Sequence, residues 1–175
     1  MADGNNLTRR ELIQITAVSA VAASAPSLGA DQATKFFTAD EFAMVDELTE
    51  LIIPTDDHSP GARAAQVAAY IDARLAEAFE EGPRQRWREG LKRIDAVAQE
   101  MHGRPFLQAS HDQHVALLVR ISRNEKTPKT PEEHFFNELK GSTAHTYYTS
   151  KIGIHQEMEY KGNVYLEQFV GYEVK

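Results

Sequence analysis

The segment at residues 50–62 reads ELIIPTDDHSPGA and separates the first two helical patterns of the chain. Its apolar part, Leu51 to Ile53, completes a helical pattern that Pro54 interrupts, because proline cannot continue the backbone hydrogen bonding of a helix. Pro60 and Gly61 then turn the chain into an alanine-rich helix. The sequence therefore predicts a rigid loop between two packed helices, and this loop holds the densest cluster of reactive side chains.

Helix-start signals recur along the chain on both sides of this loop. The S/T-x-x-E/Q capping box occurs at Thr38, Ser110 and Thr130, and each box precedes residues with helical spacing. Two further helices are predicted at about 64–80 and from Pro83 to Gly103. The pattern thus predicts an all-α protein: a compact bundle of about five helices with an extended, aromatic C-terminal tail at 149–175.

The apolar side of each predicted helix follows from the same spacing. In the second helix it includes Tyr70 and Phe79, with Val67, Ile71 and Leu75 between them. In the fourth helix the apolar positions are predicted to be Val115, Leu118, Val119 and Ser122, and in the fifth they are Phe135, Phe136, Leu139 and Tyr147.

Composition excludes several classes of function. The chain has 175 residues, a net charge of −7 and no basic stripe, which argues against a nucleic-acid partner. It contains no cysteine, so it can hold neither a thiolate-bound iron–sulfur cluster nor a haem attached through C-x-x-C-H. Redox chemistry that involves this protein must therefore be carried by another chain.

The N-terminus has the layout of a bacterial export signal. Arg9 and Arg10 directly precede a mildly apolar run from Leu12 to Ala25 that is rich in Ala, Ser and Thr. Adjacent arginines before a short apolar region are typical of twin-arginine signals. We therefore predict an export signal at 1–30, a helical domain at 31–175, the twin-arginine translocase as a partner, and a periplasmic location.

Asp56, Asp57 and His58 leave three interpretations of the loop open. Their oxygen and nitrogen atoms suit a metal ion, but consecutive residues rarely converge on one ion without ligands from elsewhere in the chain. The carboxylates could instead bond backbone N–H groups of the turn, or the loop could contact a partner. His111 and His114 form a half-site for zinc by spacing, although surface histidines explain the pair better.

Aromatic side chains near the C-terminus allow two interpretations as well. Tyr147, Tyr148 and the aromatics of the tail suit either the protein's own core or the centre of an interface. Taken alone, the residues indicate a helical, exported, non-catalytic module.

Several motifs, in order and over nearly the whole chain, resemble the gluconate 2-dehydrogenase subunit 3 family. Besides the twin-arginine start they are Phe37-Thr38-x-x-Glu41-Phe42, Leu51-Ile52-Ile53-Pro54-Thr55-Asp56 with Ser59-Pro60-Gly61-Ala62, Tyr147-Tyr148-Thr149-Ser150, Tyr160-Lys161-Gly162-Asn163 and Phe169-Val170-Gly171.

The resemblance implies a small subunit of a periplasmic dehydrogenase for sugars, sugar acids or polyols. In such complexes a large subunit of the glucose–methanol–choline class binds FAD and oxidises the substrate, and a multihaem cytochrome c commonly accepts the electrons. The small subunit has no cofactor and is not itself an enzyme. It assists the folding of the large subunit and carries it through the twin-arginine pathway, and any membrane association comes through the complex.

The resemblance and the two regions above supply the candidate partner-interface residues. They are Pro54, Thr55, Asp56, Asp57, His58, Tyr147, Tyr148, Tyr160, Asn163 and Phe169. Some relatives carry a cysteine near the C-terminus where this chain has Gly171 and Tyr172, so its association must be non-covalent. The alternatives are a stand-alone metal-dependent enzyme that uses Asp56, Asp57 and His58, and a free periplasmic ligand-binding protein.

Overall fold

Five long helices and one short helix form the fold over residues 34–162, the part of the chain that the computed structural model describes. They are α1 (Ala39–Ile52), α2 (Gly61–Ala64), α3 (Val67–Glu77), α4 (Glu81–His102), α5 (His111–Ser122) and α6 (Pro131–Thr149). A 3-10 turn at Phe106–Gln108 and a π-helical turn at Gly153–Glu157 complete the list. The predicted all-α bundle is confirmed, and over these residues the only extended pairing is an isolated bridge between Thr55 and Pro60.

Local signals determine where the helices begin and end. The hydroxyls of Thr38 and Ser110 accept the backbone N–H three residues ahead, as the capping boxes predict. Before α6, the Glu133 carboxylate accepts the Thr130 N–H at 3.2 Å. Gly103 ends α4 in the left-handed conformation (φ +67°) that glycine adopts without strain.

Helix α6 is the central element of the bundle, because it packs against α1, α3, α4 and α5. The Phe135 ring lies edge-on to Trp87 of α4, with the ring centroids 5.4 Å apart. Gly90 of α4 allows this approach, because a Cβ at that position would overlap the Phe135 ring. The remaining predicted apolar positions of α6, Phe136, Leu139 and Tyr147, are buried as well.

The predicted helix at 64–80 is wrong in its extent. Gln66 adopts a left-handed conformation (φ 55°) and divides the region into α2 and α3, and α3 already ends at Glu77. Glutamine gives no sequence signal for this conformation, which is uncommon for residues other than glycine. Tyr70 and Phe79 are exposed rather than part of the core.

The predicted positions of α5 are only partly correct. The buried residues are His114, Leu117 and Ile121, and the predicted Leu118 packs partly buried against the core, whereas Val115 is 42% and Val119 57% exposed. His114 decides the orientation of the helix, because its ring stacks on Phe106 at 4.1 Å and its Nε2 lies 2.8 Å from the Phe106 carbonyl oxygen.

The tail is not extended from its predicted start at 149. The Ser150 hydroxyl accepts the Gly153 N–H at 3.0 Å, and the π-helical turn at Gly153–Glu157 packs back on α6. Predictions for Arg9, Arg10, Asn163 and Phe169 lie outside the described residues. Between residues 34 and 162, no helix combines the length and apolar character needed to cross a membrane.

Candidate functional site

Asp56 organises the backbone of the loop at residues 53–61. Its Oδ1 accepts the N–H groups of His58 (2.8 Å) and Ser59 (2.7 Å), and its own N–H donates to the Ser59 carbonyl at 2.8 Å. The N–H of Ser59, and then that of His58, lower the pKa of the Asp56 carboxyl below its ordinary value. Asp56 is therefore a turn-forming carboxylate, which is one of the three interpretations that its sequence context leaves open.

Glu50, at the end of α1, joins the two ends of the loop. Its Oε1 accepts the N–H (3.0 Å) and the hydroxyl (2.7 Å) of Thr55, and its Oε2 accepts the N–H of Arg63 at 2.8 Å. Gly61 allows this closure at φ +83°, because a Cβ there would overlap the Thr55 hydroxyl. One carboxylate thus connects α1, the loop and α2.

A buried hydroxyl pair holds the loop from below. The Ser59 Oγ lies 2.8 Å from the phenol oxygen of Tyr147, which is 88 residues further along the chain and 0% exposed. The Tyr147 hydroxyl also donates to Glu157 Oε2 at 3.4 Å, and Ser59 Oγ accepts the N–H of Gly61 at 3.3 Å. These bonds connect the loop to the end of α6 and to the π-helical turn.

Burial raises the pKa of Tyr147, and the adjacent Glu157 carboxylate raises it further, whereas the Ser59 hydrogen bond opposes this shift. The phenol therefore remains protonated at neutral pH and can donate its hydrogen bond. Of the two interpretations for Tyr147 and Tyr148, Tyr147 belongs to the core. It is therefore not part of the solvent-exposed surface. Its neighbour Tyr148 is 42% exposed.

Arg63 continues the network behind the loop. Its Nε lies 2.6 Å from Asp46 Oδ2, and its terminal nitrogen lies 2.9 Å from Glu47 Oε2. Partial burial lowers the pKa of Arg63, but Asp46 and Glu47 outweigh this effect and raise it above its ordinary value. Glu47 also lies 3.5 Å from Nδ1 of the buried His114, so this histidine serves the packing of α5 against α1.

The outer face of the loop carries Asp57 and His58, whose side chains have no hydrogen bond in the described part of the chain. Asp57 and His58 are exposed, as are Pro54 and Thr55. Because Tyr147 is hydrogen-bonded to both Ser59 and Glu157, the exposed residues next to these in sequence lie at the same end of the bundle. We call this exposed set the loop surface; it consists of residues 54–58, Tyr148 and Met158.

Sequence reasoning missed three participants in this arrangement. They are Ser59, whose sequence context gives it no structural role, together with Glu157 and the half-exposed Met158. The spacing of these residues carries no signal, because their contacts join positions far apart in the chain. Tyr160, which the sequence did indicate, is half exposed near the same turn.

The polar groups of the loop mainly form hydrogen bonds that stabilise the fold. One oxygen of the Asp56 carboxylate accepts two backbone N–H groups, and the Ser59 hydroxyl is hydrogen-bonded to Tyr147. From 34 to 162, no three His, Asp or Glu side chains lie close enough together to hold a metal ion. A surface depression occurs elsewhere, at the turn of residues 122–127.

Comparison with known proteins gives one match. A family model described as "Gluconate 2-dehydrogenase subunit 3" matches residues 39–164, from the first residue of α1 to just beyond the described part of the tail. Neither the search of curated proteins nor the search of solved structures gave a significant match. The matched region includes the whole loop and its anchors on α1, α6 and the π-helical turn.

Proposed function

Because the chain belongs to the gluconate 2-dehydrogenase subunit 3 family, we propose that it is the small, non-catalytic subunit of a periplasmic FAD-dependent dehydrogenase. The observation that carries this proposal is the family match over 39–164. The family name denotes a dehydrogenase subunit, which supports an accessory role in a dehydrogenase complex. We further propose that its partners are a flavoprotein large subunit, which oxidises a sugar, sugar acid or polyol, and a multihaem cytochrome c.

The loop supports a structural role rather than a catalytic one. Asp56 and Ser59 serve the fold of the loop: one Asp56 oxygen accepts two backbone N–H groups, and the Ser59 hydroxyl lies in a buried hydrogen bond. Asp57 and His58 are exposed, but no group of three His, Asp or Glu side chains that could hold a metal ion occurs in the described residues. In the proposed complex, FAD and the oxidation of the substrate belong to the large subunit.

The loop surface supports partner binding because its backbone is fixed before any partner arrives. Docking a rigid surface loses less conformational entropy than ordering a flexible one. Tyr148 and Met158 add exposed apolar area at the same end of the bundle, and aromatic residues and methionine are enriched at interfaces. A stable interface buries more than about 1,200 Å² in total, so the loop surface would form only one part of it.

Export is the second half of the proposed role. Arg9 and Arg10 would direct this chain, together with its folded flavoprotein partner, to the twin-arginine translocase. The proposal therefore links one end of the chain to translocation and the helical domain to assembly of the complex.

Co-expression with the FAD-dependent large subunit tests the assembly role. Purification through a tag on this chain should recover a flavin-containing complex that oxidises its sugar substrate. If this chain is purified without a flavoprotein, and the large subunit is equally soluble and active in its absence, the proposed role is wrong.

Conservative substitutions test the export role separately. Arg9→Lys combined with Arg10→Lys should leave both subunits in the cytoplasm, as measured by fractionation. Arg104→Lys combined with Arg123→Lys changes two exposed arginines of the helical domain and should not affect location. Unchanged location of the large subunit in the first double variant would contradict export by this chain.

A further inference from the structure

The chain enters the helical domain at Lys35–Phe37, and one carboxylate holds this segment. Asp72 of α3 accepts three consecutive backbone N–H groups: Lys35 at 2.6 Å, Phe36 at 2.9 Å and Phe37 at 2.8 Å. Asp72 is only 3% exposed, and a buried carboxylate requires such donors to compensate for its lost hydration. The proposed assembly role does not explain why Asp72 holds this segment.

Arg88 of α4 holds the same segment from another direction. It donates to the Phe36 carbonyl oxygen at 2.8 Å, and its guanidinium lies 4.4 Å from the centroid of the Phe36 ring. It also pairs with Glu41 of α1 at 3.2 Å. The Phe37 side chain is buried beside Trp87, with the ring centroids 6.0 Å apart.

These contacts form only in the assembled domain. Asp72 is 35 to 37 residues away from the N–H groups that it accepts, and Arg88 is 52 residues away from Phe36. Local structure cannot supply contacts over such separations. Until α3 and α4 pack beside α1, the backbone of residues 35–37 has neither partner.

Peptidases need the same backbone groups that Asp72 and Arg88 occupy. A peptide substrate commonly binds in an extended conformation and pairs its N–H and C=O groups with the enzyme, as an added strand does. In hydrolysis, the carbonyl carbon of the cleaved bond gains the hydroxyl of a water molecule, and the leaving nitrogen gains its proton. At the Lys35–Phe36 bond, that nitrogen already donates to Asp72, and the next carbonyl accepts from Arg88.

We infer that Asp72 and Arg88 make Lys35–Phe37 a fold-dependent boundary for proteolytic processing. In the folded protein, a peptidase that shortens the N-terminus stops before Lys35, and the Lys35–Phe36 bond becomes cleavable only when α3 or α4 leaves the segment. One consequence rests on the proposed export role: the predicted export signal, at residues 1–30, ends before the boundary. Removal of the signal would then leave the domain intact.

Limited proteolysis of the full 175-residue chain tests the boundary. Trypsin cleaves after lysine, so the rate of cutting between Lys35 and Phe36 can be followed by mass spectrometry. Asp72→Ala should accelerate this cut by at least about tenfold, the factor that corresponds to about 1.4 kcal/mol of opening free energy. Circular dichroism should show that the variant remains helical.

Asp95→Ala is the matched control. Asp95 also accepts a backbone N–H from a connecting segment, that of Phe106 at 2.8 Å, but it has no contact with residues 35–37. This variant should change the rate of cutting at Lys35 by less than about threefold, or about 0.65 kcal/mol. Should Asp72→Ala fail to fold, Arg88→Gln provides a milder test that retains the Asp72 carboxylate and should also accelerate the cut.

Two results would overturn the inference. One is cutting at Lys35 in the folded wild-type chain as fast as in urea, and the other is equal acceleration by Asp72→Ala and Asp95→Ala. Because purified protein is used, neither result depends on export. A chain that remains in the cytoplasm would contradict the proposed function and leave the boundary unaffected.

Discussion

Two connections between helices, at residues 53–60 and 123–130, use the same device in opposite ways. In each, a carboxylate accepts two consecutive backbone N–H groups: Asp56 accepts those of His58 and Ser59, and Glu133 accepts those of Lys129 and Thr130. Glu133 is 7% exposed, and its bonds reach at most nine residues along the chain. Asp56 is exposed, and the loop around it depends on Tyr147, far away in sequence.

The two connections differ in which side chains they leave exposed: the one at 123–130 is held by a buried carboxylate, and the one at 53–60 presents exposed polar side chains to solvent. At 123–130, the buried carboxylate uses both oxygens for partners within nine residues, and the more distant contacts of Glu125 with Asn137 and Lys140 also come from α6. At 53–60, the anchoring residues Ser59 and Tyr147 are buried, whereas Asp57 and His58 are exposed and form no hydrogen bond in the described part of the chain. A fixed backbone with exposed polar side chains is suited to contact with another molecule.

Of the substitutions that test this comparison, that of Gly61 should cause the largest loss of stability. Gly61→Ala would place a Cβ against the Thr55 hydroxyl and 2.8 Å from the Thr55 nitrogen, in a backbone conformation that alanine disfavours. We expect a loss of about 2–4 kcal/mol from strain and overpacking together, measured by urea unfolding.

Gly103→Ala separates these two causes. Gly103 has a similar φ, +67°, but no atom lies within 4 Å of the added Cβ. Backbone strain alone should cost about 1–2 kcal/mol. If both variants lose the same stability, crowding by Thr55 and Glu50 is unimportant, and the loop is less tightly closed than its geometry indicates.

The parts of the fold that sequence predicted are those decided within a few residues. The capping boxes at Thr38 and Ser110, the stop at Pro54 and the C-terminal glycine of α4 all depend on adjacent backbone groups. The composition of their surroundings hardly affects them. For this reason the helix starts at Thr38, Ser110 and Thr130 and the end at Gly103 were predicted correctly.

The parts that sequence could not predict depend on distant residues. Positions 115, 118, 119 and 122 have helical spacing as good as that of the buried positions 114, 117 and 121, and contacts with distant residues, such as those of His114 with Phe106 and Glu47, favour the second set. Likewise, Tyr147 and Tyr148 are equivalent in sequence, yet only Tyr147 reaches Ser59. The loop was therefore located from sequence, while its anchors were not.

Tyr147→Phe tests the long-range anchor directly and should have the second-largest effect. It removes the hydroxyl that contacts Ser59 and Glu157 while it keeps the ring that fills the core. Loss of one buried hydrogen-bonding group should cost about 1–2 kcal/mol by urea unfolding. Tyr148→Phe removes a hydroxyl from the exposed neighbour and should change stability by less than about 0.5 kcal/mol. Equal effects would show that the Ser59 contact does not hold the loop.

Acid sensitivity should distinguish the two carboxylates. Backbone N–H groups lower the pKa of both: Lys129 first for Glu133, and Ser59 first for Asp56. A lowered pKa in the folded state means that the contribution to stability is present above the unfolded value, about 4.3 for Glu and 3.9 for Asp. This contribution is lost as the pH falls through the folded value.

Glu133→Gln should therefore be less stable than wild type above about pH 5 and approach it in acid, as measured by thermal unfolding from pH 7 to pH 2. Asp56→Asn should show a smaller difference, because a single Asp56 oxygen accepts both N–H groups and the asparagine carbonyl can replace it. Both Glu133 oxygens accept hydrogen bonds, so a glutamine NH₂ must face a donor. A larger effect at Asp56 would reverse the assignment of the inward and outward connections.

The smallest effect on stability, and the most specific effect on assembly, should come from Asp57→Ala combined with His58→Ala. These side chains are exposed and have no bond among the described residues, so the free energy of unfolding should change by less than about 0.5 kcal/mol. If the loop surface meets the flavoprotein, the yield of complex should fall, while the turnover of the complex that does assemble should stay unchanged.

His111→Ala with Asp112→Ala removes the same two side-chain types from the exposed start of α5 and should leave the yield intact. An equal fall in both double variants would mean that net charge, rather than this surface, governs assembly; no fall in either would assign the interface to another face of the bundle.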